Sequence, residues 1–147
     1  MLRPSRRRLL SLLPALPLAA VLPGTLRAQD GPIRLRDLYN RDMSFSDLAL
    51  SQEGQRITIA GFMAPPLRAE TNFFVLTKMP MAVCPFCEPG MPWPDDILAV
   101  YAKRVVNVVP FNVPLETSGV LELGDYVDPD LGFYSKVRLT DATYGRA

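Results

Sequence analysis

A half-buried β-strand is predicted by the stretch Arg56-Ile57-Thr58-Ile59-Ala60-Gly61-Phe62-Met63, because polar or small residues alternate in it with apolar ones. Pro65 and Pro66 follow and end the strand. Further along, Asn72-Phe73-Phe74-Val75-Leu76-Thr77 is apolar on both faces, which indicates a second strand at the centre of a sheet. Pro80 ends this second strand. The middle of the chain is therefore predicted to be β-structure.

The flanking elements complete a mainly β domain. A short helix is expected around residues 45–50, and Asp95 or Asp96 can cap another through about Lys103. Further strands are predicted at 104–109, 119–124 and 133–139. A parallel βαβ sheet is disfavoured, because a single credible helix lies between strands. About five strands with one short helix predict a small, partly open OB-like barrel, and a compact sandwich is the alternative.

Residues 1–28 have the features of a signal peptide. Arg6, Arg7 and Arg8 precede an apolar stretch at 12–22, which is too short to remain as a membrane span, and Ala28 suits a cleavage site. The paired arginines resemble a twin-arginine signal; an ordinary secretory signal is the alternative. We expect residues 29–147 to form a single OB-like domain in the periplasm, with no membrane span after cleavage.

The charge of the exported part argues against nucleic acid as a partner. Removing residues 1–28 takes away five arginines and no acidic residue, which leaves 11 basic and 15 acidic residues and a net charge of −4. Binding of nucleic acid requires clustered lysine and arginine to neutralise phosphates. An OB-like shape does not by itself imply that function.

Several segments together resemble a known family: Ile59–Pro65, Phe73–Leu76, Cys84–Cys87, Trp93-Pro94 and Gly119–Gly124. They are similar to a bacterial family of small exported OB-like proteins of unknown function with a Cys-Pro-Phe-Cys segment. The resemblance spans residues 55–142. It implies the fold and a link to ABC-type transporters, some concerned with metals, because members are often encoded beside them. It supplies no established activity, so no catalytic residue is assigned.

The run Cys84-Pro85-Phe86-Cys87 contains both cysteines of the chain and permits redox chemistry. In thioredoxin-like proteins such a pair opens a helix whose N-terminus lowers the pKa of the first thiol. Here three prolines within residues 88–94 cannot continue a helix, and Glu88 opposes formation of a thiolate. A periplasmic thiol–disulfide oxidoreductase on another fold remains the alternative function.

Metal binding is a second use of the cysteine pair. Cys84 and Cys87, with Glu88 as a candidate third ligand, would suit a soft or borderline ion such as Zn or Cu. The sequence has no histidine and no third cysteine, so a full site must borrow further ligands. The candidates are Asp95, Asp96, a methionine, or a second subunit. Covalent haem is excluded, because Glu88 stands where histidine is required.

A local disulfide between Cys84 and Cys87 is the favoured interpretation, because the periplasm is oxidising. It would shape a partner-binding surface from Phe86, Met91 and Trp93. Trp93 is expected to cover the barrel mouth, with an exposed anchor for a partner as the alternative. We therefore predict a non-enzymatic accessory protein whose Cys84–Trp93 loop docks a transporter component or another periplasmic protein, or handles a metal ion.

The aspartates 125, 128 and 130 could suggest a calcium loop. Their spacing does not match an EF-hand, which also requires a distal glutamate. A solvated turn is the favoured interpretation of this segment.

Overall fold

The computed structural model describes residues 31–83 and 92–147. Its strands are β1 (Ile33–Arg34), β2 (Arg56–Met63), β3 (Phe73–Thr77), β4 (Ile97–Ala102), β5 (Pro114–Val127) and β6 (Tyr134–Arg146). A 3₁₀ turn at Leu35–Leu38 and one short helix, α1 (Asp47–Gln52), lie between β1 and β2. In these two described ranges, no helix is long and apolar enough to cross a membrane.

Five of the strands form a ring. β2, β3 and β4 follow one another as antiparallel neighbours, β4 lies parallel to β6, and β5 pairs antiparallel with both β6 and β2. β1 adds to β2 in parallel. The pairing of β2 with β3 is short, at Phe62 with Thr77 and Met63 with Leu76, so the ring is most open there. The predicted small, partly open OB-like barrel is confirmed.

The barrel interior is a continuous apolar core. Alternate residues of the strands point into it, among them Ile59 of β2, Phe74 of β3, Val100 of β4 and Leu139 of β6. The segment before β2 closes part of this interior. Ser46 caps α1 by accepting a hydrogen bond from the Ala49 amide, at 3.1 Å, and Ala49 is fully buried. The helix expected around residues 45–50 is confirmed.

A second apolar cluster covers the outside of β3 and β4, and we call it the outer cluster. Its buried members are Ala64, Phe73, Val75, Ile97, Ala99 and Phe133, with Trp93, Tyr101 and Leu131 packed against them. All five residues of β3 are buried. The strand alternates between the two clusters, which explains why its sequence is apolar on both faces and confirms its central position.

Two sequence predictions were wrong. Residues 97–102 form strand β4 and not a helix, because β3 and β6 pair with its two edges and apolar groups cover both its faces. Residues 104–109 form no strand; Val106 and Val109 pack against the core, while Val105 and Val108 are exposed. The predicted strand at 119–124 is part of the longer β5, and the one predicted at 133–139 lies in the longer β6 except for Phe133, which precedes it.

Replacing Gly61 by alanine should destabilise the barrel where β2 meets β3. An added Cβ would lie 2.7 Å from the Thr77 carbonyl oxygen and 2.8 Å from Leu76 Cγ. We expect the free energy of unfolding to fall by about 1–3 kcal/mol, because backbone must move to relieve this overlap. Chemical denaturation monitored by circular dichroism measures the change.

Gly145→Ala is the matched control for this substitution. Gly145 also lies in a strand, β6, but its added Cβ would meet nothing within 4 Å. Its stability should be unchanged, or higher by up to about 1 kcal/mol through a less flexible unfolded chain. Equal stabilities for the two variants would contradict the close approach of β2 and β3.

Candidate functional site

Most of the predicted site residues lie outside the described ranges. Cys84, Phe86, Cys87, Glu88 and Met91 belong to residues 84–91, between the two ranges. The disulfide, redox and metal interpretations of the cysteine pair therefore stay predictions. Trp93 is described, as are the residues on both sides of the segment.

The connection from β3 to β4 leaves and re-enters the barrel at one place, which we call the loop root (Thr77–Met79 and Asp96–Ile97). Thr77 and Ile97 are paired across the two strands, and the Lys78 amide donates a hydrogen bond to the Asp96 carbonyl at 2.8 Å. The buried Thr77 hydroxyl donates to the Met79 carbonyl at 2.8 Å. The connection that contains the Cys84–Trp93 loop thus starts and ends on a fixed pair of strands.

Trp93 is held against the barrel by polar and aromatic contacts. Its indole Nε1–H donates to the Tyr39 hydroxyl at 2.7 Å. Its ring meets those of Phe133 and Tyr134 edge-on, each at a centroid distance of 6.2 Å. Trp93 is half-buried and packs against both the interior core and the outer cluster. This position agrees with the favoured interpretation that Trp93 covers the barrel, while a role in partner binding stays a prediction.

The Tyr39 hydroxyl lies in a site that favours its neutral form. Burial raises the pKa of Tyr39 to about 12, against an opposing effect of the Trp93 hydrogen bond, and the nearby Asp95 adds to the rise. A neutral phenol remains both a donor and an acceptor. Tyr39 therefore accepts from Trp93 at neutral pH without adding a buried charge beside it.

Asp95 and Asp96 do not cap a helix, since β4 follows them. The Asp96 carbonyl belongs to the loop root, and its buried side-chain oxygen Oδ1 has no hydrogen-bond partner among the described residues. Over those same residues, no group of three or more acidic side chains is placed to hold a metal ion. Met79 and Val83, which precede the cysteine segment, have exposed fractions of 54% and 75%.

The aspartates between β5 and β6 have separate partners. Asp125 accepts a hydrogen bond from the Tyr134 hydroxyl at 2.7 Å. Asp128 accepts from the amides of Asp130 and Leu131, at 2.9 and 2.8 Å, which forms a side-chain-stabilised turn. The expected turn is present, but Asp128 is buried at 7% exposure and not solvated.

Sequence reasoning missed Tyr39, Phe133 and Tyr134 as supports of the loop. Tyr39 lies 54 residues from Trp93 along the chain. No motif connects these positions, since the barrel topology alone brings them together. The one available signal was the density of aromatic residues at Phe133 and Tyr134.

Comparisons with known proteins add little. No protein-family model matches the sequence, and no curated protein matches it. A crystal structure of a DUF3299 family protein from Pseudomonas aeruginosa PAO1 aligns with a TM-score of 0.49 and 14% sequence identity. The alignment covers 80% of this chain and 98% of that one. Nothing about activity follows from so distant a likeness.

A double-mutant cycle should detect the hydrogen bond between Trp93 and Tyr39. Trp93→Phe removes the N–H donor and Tyr39→Phe removes the hydroxyl, so their effects on unfolding free energy should couple by about 1 kcal/mol. A cycle of Trp93→Phe with Tyr134→Phe is the control. It should give a coupling near zero, because the Tyr134 hydroxyl donates to Asp125 and not to Trp93. Additive effects in the first cycle would contradict the bond.

Stability should fall in alkaline solution because of Tyr39. The folded protein keeps the Tyr39 proton up to about pH 12, whereas an unfolded tyrosine loses it near 10. The stabilisation is therefore complete below about pH 10 and declines as the pH rises towards 12, by up to about 2–3 kcal/mol. Urea denaturation at several pH values should show a shallower decline for Tyr39→Phe. Parallel pH profiles of the two proteins would contradict the raised pKa.

Proposed function

We propose that this protein is an exported, non-enzymatic accessory protein that docks a periplasmic partner through its Cys84–Trp93 loop. A component of an ABC-type transporter is the partner that the sequence resemblance favours. The features of a signal peptide at residues 1–28 and the chemically distinctive loop motivate the proposal.

One observation carries the proposal: the loop is held to the barrel at its base. The pairing of Thr77 with Ile97 fixes the strands that the whole connection leaves and re-enters, and the Trp93 indole N–H at the end of the loop donates a hydrogen bond to Tyr39 at 2.7 Å. A loop with an anchored end loses less conformational entropy when it binds a partner. This arrangement supports recognition through the loop.

Exposed apolar residues also favour docking through this loop. Met79 and Val83 are largely exposed just before the cysteine segment, and the sequence places Phe86 and Met91 close behind them. Exposed apolar groups that lie together commonly mark protein interaction sites. A protein partner with an apolar docking face therefore suits this loop.

The outer face of β3 and β4 is covered by other residues, which also favours a function of the loop. OB folds commonly bind oligonucleotides or oligosaccharides on this face. Here Phe133 and Trp93 cover it, and Phe73 and Val75 are buried at 1% and 2% exposure. This covered face and the net negative charge of the exported part both argue against nucleic acid as a ligand.

Site-specific photocrosslinking in the periplasm tests the docking function. A photoreactive amino acid at Val83 should give one discrete crosslinked partner. The control position is Glu53, which is exposed and precedes β2, at the far end of that strand from the loop root. No crosslink from Val83, or the same products from both positions, would contradict docking through the loop.

Cysteine variants then separate the three uses of Cys84 and Cys87. The protein purified from the periplasm should have a mass two hydrogens below the reduced value and resist alkylation, as for a disulfide.

The double variant Cys84→Ser/Cys87→Ser should lose the Val83 crosslink. Ala82→Ser, which adds a hydroxyl next to the crosslinking position but leaves both thiols in place, should keep it. Unchanged crosslinking in the double variant would exclude a role for the pair in docking.

The same preparations test the alternatives. A bound Zn or Cu ion in native mass spectrometry, with both thiols free, would make Cys84 and Cys87 metal ligands. Disulfide-linked complexes trapped by Cys87→Ser alone would support the thiol–disulfide oxidoreductase, since a missing resolving thiol stabilises the mixed disulfide.

A further inference from the structure

The connection from β4 to β5, residues 103–113, exposes apolar side chains, and we call it the 103–113 loop. Val105, Val108 and Phe111 have exposed fractions of 57%, 61% and 39%. The segment forms neither a helix nor a strand. Exposed apolar groups that lie together commonly mark an interaction surface. No part of the proposed docking function uses this loop.

The 103–113 loop is anchored to the barrel between its exposed residues. Val106 and Val109 pack against the interior core, and the Val106 amide donates a hydrogen bond to the Thr71 carbonyl at 2.8 Å. The Tyr144 hydroxyl accepts from the Asn107 amide at 2.8 Å and donates to the Asn107 carbonyl at 3.0 Å. A loop fixed in this way presents its outward side chains with little ordering cost on binding.

A cleft with a basic lining lies beside the loop. Residues within 102–109 form one wall and residues 142–146 form the other, and the volume is 460 Å³. Its charged residues are Lys103, Arg104 and Arg146, and no acidic residue belongs to the described lining. Lys103 also contacts Asp141 at 3.3 Å, whereas the two arginines form no ion pair with another described residue. The cleft therefore favours an anionic group.

This positive charge is local. The exported part has 11 basic and 15 acidic residues, but segments 102–113 and 142–147 together have three basic residues and no acidic one. The neighbouring acids Asp141 and Glu116 do not line the cleft. Basic groups beside exposed apolar groups complement a surface with anionic head groups above apolar chains. A bilayer that contains anionic phospholipids is such a surface.

We propose that this face of the barrel binds the surface of a membrane that contains anionic phospholipids. The basic residues of the cleft contact lipid phosphates, and the exposed residues of the 103–113 loop enter the boundary between head groups and acyl chains. Binding is reversible, because three apolar side chains insert far less area than a membrane-spanning helix does. This function goes beyond docking of a protein through the Cys84–Trp93 loop and uses a separate surface.

Flotation of the protein purified from the periplasm with lipid vesicles tests the proposal. Vesicles of phosphatidylglycerol and phosphatidylcholine in equal parts are the anionic probe, and vesicles of phosphatidylcholine alone are the neutral control. The protein should float with the anionic vesicles and bind the neutral ones at least about tenfold more weakly. Raising the salt concentration from about 0.05 M to about 0.5 M should weaken binding, because salt screens the attraction.

Charge variants locate the binding in the cleft. Arg104→Gln and Arg146→Gln should each weaken it about fivefold, which is the contribution of one basic residue near an anionic surface. Arg104→Lys keeps the charge and should retain the affinity. The matched control is Lys136→Gln, which removes the same charge from an exposed position near the start of β6, whereas Arg146 ends that strand. It should change the affinity by less than about twofold.

Apolar variants test insertion of the loop. Val108→Ser should weaken binding about three- to tenfold, because it removes apolar area that enters the bilayer. Val108→Trp should strengthen binding, since tryptophan favours the membrane interface. Leu50→Ser is the matched control, because Leu50 on α1 is exposed at 54% and lies outside the loop. It should bind as the unmodified protein does.

Three results would overturn the proposal: no flotation with anionic vesicles, equal flotation with neutral ones, or control variants that weaken binding as much as their counterparts. An acidic protein is the other occupant that this surface could accept. A photoreactive amino acid at Val108 that gives a discrete protein crosslink, together with no binding to vesicles, would assign the face to such a protein and exclude the membrane.

Discussion

The pairing of β5 with two strands at once is the constraint on which the rest of the structure depends. One edge of β5 pairs with β2 from Pro114 to Val120, and the other pairs with β6 over most of its length. This double pairing converts a row of strands into a ring and creates an inside that apolar side chains can fill. It also requires close backbone approach, and Gly119 provides it, because an added Cβ there would lie 2.9 Å from the Thr140 carbonyl oxygen.

Closure of the ring leaves β3 and β4 with two faces to bury. Phe74 and Leu98 face the interior, while Phe73 and Ile97 need cover on the outside. The turn after β5 supplies Phe133 and the loop before β4 supplies Trp93. The surface on which OB folds commonly bind ligands is thereby used for stability. The docking function that we propose therefore uses the Cys84–Trp93 loop and not this face.

The sequence predicted those parts of the fold that depend on local pattern. Alternation in residues 56–63 and apolarity on both faces in 73–77 identified β2 and β3 correctly. Local pattern failed at residues 97–102. There Asp95 and Asp96 resemble a helix cap, and the apolar residues that follow can share one face of a helix. Pairing with β3 and β6 overrides that local preference and makes the segment a strand. For the candidate site, Trp93 stood out by composition, but its partner Tyr39 is fixed by topology alone.

The outer cluster links the packing of β3 to the support of the loop. The Phe133 ring lies 5.0 Å from that of Phe73 on β3 and 6.2 Å from that of Trp93. Truncating Phe133 would therefore remove support from the loop and from the fold at the same time. Loss of docking in such a variant would not distinguish a role in recognition from a role in stability. The Trp93 indole N–H is more informative, because Trp93→Phe removes its hydrogen bond to Tyr39 and keeps an aromatic ring in the cluster.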